Sequence, residues 1–251
     1  MSNYDLMYGD MFTWLLVIVG VILVIYAQAK VNSAYNKYKK IKCSKNINGA
    51  EAARLILKKN NLDLYVVETP GEMSDHYDPS RKTVRLSPVV FRDNTIASIA
   101  IAAHECGHAI QDKENYTFMR IRASLVPVVN LVSYAGYFAM IVSIFMGAMQ
   151  YLMVGILMEL ATVVFQLVTL PVEFDASKRA LKEIEELNLV SKEELDGAKK
   201  VLSAAAFTYV ASALAALLQL LRLVIMYSNR DNDLYNVYNI VFFYYLVYNY
   251  I

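Results

Sequence analysis

His104-Glu105-Cys106-Gly107-His108 sets two histidines four residues apart around a glutamate. On an α-helix, residues i and i+4 lie about 40° apart on one face, so both imidazoles converge on one cation and Glu105 sits on the flank beside it. The pattern is HExxH. It suits zinc with an activated water, two imidazoles serving as ligands and the carboxylate taking the water proton. The whole chain has 3 histidines, and two of them hold this spacing. The plainer alternative is a helix with two hydrogen-bonded histidines and no metal.

A catalytic zinc needs three protein ligands and an open position. The metzincin arrangement would place Gly three residues and His six residues after His108, but Gln111 and Glu114 stand there, which excludes it. Glu114 would point about 240° round a continuing helix, away from the imidazoles. Glu173 is the better third ligand. It emerges just after a long apolar block, and Pro171 before it fits the first turn of a new helix. On that helix Ala176 and Ser177 share the face of Glu173, while Asp175 points elsewhere, free to orient a ligand or pair with a base. The competing reading of Glu173 is a first-turn carboxylate answering the helix dipole. His76 or Arg179 can donate to a tetrahedral oxyanion, against ordinary surface solvation as the alternative for each. Cys106 reads as a small buried thiol.

These groups need elements to hold them, and most of the chain is membrane-like. Of 251 residues, 57% are hydrophobic and 19% charged, with a mean hydropathy of +0.35. That excludes disordered, collagen-like and secreted disulfide scaffolds. Apolar blocks at 11–27, 124–146, 151–170 and 201–227 predict four spans, with Arg222 in the last snorkelling to an interface. Asp5 and Asp10 precede the first block and a Lys cluster follows it, which predicts a retained anchor with its N-terminus outside rather than a cleaved signal. Four residues, Gly147-Ala148-Met149-Gln150, separate the second and third blocks, so a hairpin returns Glu173 to the side of the HExxH helix. Of 24 Lys plus Arg, 16 lie in 30–122 and 6 in 172–200; by the positive-inside rule both segments are cytoplasmic.

The segmentation is therefore 1–29 (outside segment and span one), 30–122 (catalytic region), 123–171 (transmembrane hairpin), 172–200 (helix with the third ligand), 201–228 (span four) and 229–251 (Tyr- and Asn-rich apolar tail). Within the catalytic region the pattern predicts an amphipathic helix over 48–60 and a small sheet from 62–68 and 82–87. A helix over 95–111 follows, capped by Asp93 or Asn94. The strand at 82–87 would offer its edge to an extended peptide, or be simply a sheet strand. Glu159, about 20 Å of helical rise before Glu173, is too far for the same metal and is expected to pair with another span. A net charge of +1, without a basic patch interleaved with stacking aromatics, argues against nucleic acid. Cys43 and Cys106 are too few for a disulfide framework and fit a reducing compartment.

The strings AAHECGHAIQ (102–111), MSDHYDPSRKTVRLSP (73–88) and LPVEFDASKRA (170–180), in their order among the spans, resemble the membrane neutral zinc metallopeptidases of the YugP type. The resemblance runs to about Arg230 and implies a mainly α, multi-span bacterial plasma-membrane protein. It also implies a zincin-like catalytic region, bound Zn2+ and peptide or protein substrates. More distantly, Glu173-Phe174-Asp175-Ala176-Ser177 looks like the Glu-Phe-Glu-Ala-Asp segment of HtpX-type gluzincins, whose first Glu is the third zinc ligand. That likeness implies the same role for Glu173, but Ser177 stands where the HtpX type has Asp, so the carboxylate that would support a zinc-bound histidine is missing there. Two other readings compete. A site-two-type intramembrane protease would use an Asp-Gly such as Asp196-Gly197, which here sits in a charged stretch and reads as a turn. A scaffold with structural zinc would need four Cys or His ligands, drawing in His76 and a cysteine. An oligomeric state is not legible.

Overall fold

The computed structural model describes residues 3–146 and 152–228. Among them the chain is mainly helical around one small sheet, in the order α1 (Asn3–Tyr38), α2 (Gly49–Lys59), β1 (Tyr65–Glu68), β2 (His76–Asp78), β3 (Thr83–Leu86), α3 (Pro88–Arg92), α4 (Ile96–Lys113), α5 (Thr117–Met146), α6 (Leu152–Glu186) and α7 (Lys192–Ser228). Three of the helices are long and apolar enough to cross a membrane, over Met11–Tyr38, Met153–Glu186 and Lys192–Ser228. The expected span at 124–146 falls in α5. The connection at 147–150 and the tail at 229–251 lie outside the described residues.

The chain divides into two compact units. One comprises Met1–Tyr26, Ile121–Val168 and Tyr209–Ile251. Its exposed surface is apolar, with Leu15, Ile18, Ile22, Leu157, Leu160, Leu217 and Leu221 among the outward residues. That is the face a lipid-bathed helix presents, because acyl chains impose no cost on exposed aliphatic groups. Inside it, Glu159 and Arg222 are buried. Arg222 does not snorkel outward as expected; its guanidinium lies 5.6 Å from the centre of the Trp14 ring, where the aromatic quadrupole takes the place of interfacial water.

The other unit comprises Ala27–Arg120 and Thr169–Thr208. Its core is α4, rich in alanine, with Ala97, Ala100, Ala103 and Ala109 buried along it. Against it packs α2, whose Ala52, Ala53 and Ile56 are likewise buried. Small residues on both helices let the backbones approach closely, and burying a side chain such as Ile56 contributes about 1.5–3 kcal/mol. A capping box opens α2: the Glu51 backbone N–H donates to Asn48 Oδ1 and the Asn48 N–H to Glu51 Oε2. The cap of α4 is Thr95, whose Oγ1 accepts from the Ser98 N–H, not Asp93 or Asn94.

The sheet order is β1-β3-β2, with β3 parallel to β1 and antiparallel to β2. The strand expected to offer its edge is therefore the central one. Val84 and Leu86 of β3 are fully buried, which a strand paired on both sides allows and an edge strand seldom does. Two further expectations are corrected. Pro171 does not begin a helix but lies inside α6. It removes only the bond to the carbonyl four residues back, a loss that long membrane helices tolerate. One helix thus carries both an apolar stretch and Glu173. Nor is Asp196-Gly197 a turn; it lies in α7. A Cβ on Gly197 would sit 2.7 Å from Tyr38 Cε1, so this glycine serves close packing, not chain reversal.

Candidate metal centre

On α4, His104 and His108 lie one turn apart, their rings edge to face with centroids 4.7 Å from each other. Glu173 reaches them from α6, its Oε2 lying 3.2 Å from His104 Nε2 and 3.5 Å from His108 Nε2. All three donor atoms fall within 4.8 Å of one another. Around a tetrahedral zinc with ligand bonds near 2.0–2.1 Å, neighbouring donors are about 3.3–3.4 Å apart. The two measured separations straddle that figure, and an N, N, O donor set suits the ion. Glu173 is 2% exposed and His108 8% exposed, so few water molecules compete for the same atoms.

Gly107, inside the motif, allows this meeting. A Cβ there would lie 2.5 Å from the backbone oxygen of Ala176, closer than any carbon tolerates without a shift. Only glycine lets α6 press onto α4 at the level where Glu173 faces the imidazoles.

Without metal Glu173 and His108 stabilise one another's charge. Burial alone would raise the Glu173 carboxyl, but the hydrogen bonds and charges of the two imidazoles outweigh it and hold the group well below the carboxylate range. Burial alone would lower the His108 imidazole, yet the Glu173 carboxylate pushes it up. The Glu173 contribution to stability is present above its ordinary value of 4.5 and is lost as pH falls. The His108 contribution is complete below its ordinary 6.5 and is lost as pH rises through the raised value. Metal-free protein is therefore expected to melt highest between those two values and to lose melting temperature on the alkaline side. Zinc, which takes neutral imidazoles, should remove that alkaline decline. Thermal melts of stripped and zinc-loaded protein across pH check this; a stripped protein that grows steadily more stable through neutral pH would contradict it.

Around the centre, Ser177 Oγ lies 3.3 Å from His104 Nδ1. Asp175 accepts from Gln111 Nε2 and from Arg179 Nε, and Arg179 also donates to Glu114 Oε2. Glu114 is thus turned to a cation on α6, as its angle on the helix implied. Arg179, offered as an oxyanion donor, has both those donors committed to carboxylates. His76 is exposed at the start of β2, its Nδ1 2.8 Å from Ser74 O, and is not among the three converging donors. Cys106 is fully buried with its thiol 3.7 Å from Ala53 O.

Glu105 is 8% exposed. Asp75 is close enough to feel its charge: burial first, and Glu105 as a further cause, push the Asp75 carboxyl up. Asp75 also accepts from the Ser87 N–H and Oγ–H, clipping the β2 entrance to the end of β3. The Tyr77 hydroxyl of β2 donates to Asp112 Oδ2 on the last turn of α4 at 2.8 Å. Edge strand β2, not β3, is therefore the strand fastened to the HExxH helix with one side unpaired. Sequence reasoning missed Gln111 and Asp75. Gln111 stands at i+3 from His108, a spacing that could have flagged it; Asp75 carried no signal.

Comparison with known proteins gives the family. Residues 13–228 match the family described as "Putative neutral zinc metallopeptidase". The chain is 43% identical over 220 residues to "Putative membrane protease YugP" of Bacillus subtilis (strain 168), covering 87% of this chain and 98% of that relative. No solved structure matches.

Proposed function

This chain belongs to the neutral zinc metallopeptidase family, and on that premise we propose that it is a membrane-bound peptide hydrolase whose zinc is held by His104, His108 and Glu173. The observation that carries the reading is the convergence of Nε2, Nε2 and Oε2 from two helices within 4.8 Å. Zinc in that position would acidify a water and polarise the scissile carbonyl. Glu105, next in sequence to one ligand and on the flank of the pair, is the general base: it takes the water proton and returns it to the leaving amine. Ser177 backs His104, and Asp175 acts on the centre through its neighbours rather than by ligation. His76, exposed at the start of edge strand β2, is the candidate donor to the oxyanion. An extended peptide is expected to add to the unpaired side of β2, whose register with α4 is held by Tyr77.

A structural zinc is less well supported, because the three converging donors include a carboxylate and both cysteines are occupied elsewhere, Cys43 with Leu189 O and Glu194 and Cys106 with Ala53 O. A site-two-type centre loses its Asp-Gly ligand, since Asp196 pairs with Lys200. The distribution of Lys and Arg supports a site at the cytoplasmic face of a bacterial plasma membrane with the N-terminus outside. The test is casein cleavage by detergent-solubilised protein. Chelation should abolish it and stoichiometric zinc restore it; cleavage indifferent to chelator would overturn the proposal.

A further inference from the structure

We infer that Gln111 is a positioning residue that fixes the tautomer of His108 and, through the same side chain, the rotation of the helix that delivers Glu173. The inference rests on the zinc site proposed above. Gln111 is fully buried one turn beyond His108, and its carboxamide makes three contacts. Nε2 lies 2.8 Å from Val172 O and 2.9 Å from Asp175 Oδ2, and Oε1 lies 3.0 Å from His108 Nδ1.

The orientation of that amide is forced. Val172 offers a backbone carbonyl, which only accepts. Asp175 Oδ2 already accepts from Arg179 Nε, so it too meets the amide as an acceptor. Both must face the amide nitrogen, and the amide cannot be turned over. Its oxygen then faces His108 and can only accept in turn, so His108 Nδ1 must carry the ring proton. The lone pair is left on Nε2, the atom 3.5 Å from Glu173 Oε2. A tautomer that a metal ligand needs is thus dictated from α6, two hydrogen bonds away.

The same bonds act in the other direction. Val172 and Asp175 stand one residue before and two residues after Glu173. Holding both against one side chain of α4 sets the rotation of α6 about its axis, and with it the direction of Glu173. His104 has no such constraint, because its Nδ1 meets the Ser177 hydroxyl, which can donate or accept. A glutamate in place of Gln111 could still accept from His108, but it would face Asp175 as a second carboxylate with no proton between them. The residue type is specified from both sides.

The full-length detergent-solubilised protein provides the test, with zinc affinity read by competition against a chelator. Gln111→Met fills the same volume with no polar group and is expected to bind zinc about 10–100-fold more weakly, the usual effect of losing a partner that orients a ligand. Gln111→Glu should be impaired as well. In that variant the carboxylate keeps its acceptor toward His108 but meets Val172 O and Asp175 Oδ2 with no donor. A purely space-filling role would leave both Gln111→Met and Gln111→Glu unimpaired. Unaltered affinity in Gln111→Met beside normal binding by the parent protein overturns this inference alone, and a parent protein that binds no zinc overturns the zinc reading with it. Should Gln111→Met not fold, Gln111→Glu decides, and undiminished zinc affinity in that variant rejects the inference.

Discussion

Glu105→Gln is expected to keep its zinc and lose peptide hydrolysis by about 10²–10⁴-fold, the contribution of a positioned general base. The substitution is nearly isosteric, and Glu105 is not one of the three converging donors, so neither the fold nor the metal should suffer. What disappears, on the proposed mechanism, is the carboxylate that would accept a proton from water and pass it on. Metal content and casein cleavage measured on one preparation separate the possibilities. Zinc retained with activity lost supports the assignment, whereas unchanged cleavage would remove Glu105 from the chemistry.

Glu173→Gln should act on the metal instead. The amide keeps an oxygen near the imidazoles but carries no charge, and it introduces an N–H pair into a position 2% exposed to solvent, where donors need partners. Zinc affinity is expected to fall by more than the roughly 100-fold upper range seen for residues that merely orient ligands. The imidazoles should still lie one turn apart on α4, since their rotamers are supported by Ser177 and Gln111. Chelator titration reads the effect, and full zinc retention would remove Glu173 as third ligand.

The reach of the sequence follows the range of the interactions concerned. HExxH is a local pattern, so the paired histidines on a helix were legible from spacing alone. Glu173 is singled out by its place after an apolar block and the hairpin that returns it, and the family likeness then implies the same role. The helix over 48–60 announced itself through Ala, Leu and Ile at helical spacing. The central position of β3 was not legible, because its parallel partner β1 is separated from it by β2 and no local pattern encodes that order. Pro171 reads from the sequence as the first turn of a new helix and Gly197 as part of a turn, yet both lie inside helices. In α6 the proline costs a single bond, and in α7 the glycine makes room for Tyr38. Gln111 escaped notice for a related reason: two of its three partners lie about sixty residues away on α6, and only their arrival gives the amide its meaning.

The most direct measurement is anomalous diffraction at the zinc edge from crystals of zinc-loaded protein. A single peak is expected about 2.0–2.2 Å from each of His104 Nε2, His108 Nε2 and a Glu173 carboxylate oxygen. A peak bound by both imidazoles but out of bonding reach of Glu173, or one located elsewhere in the chain, would contradict the account.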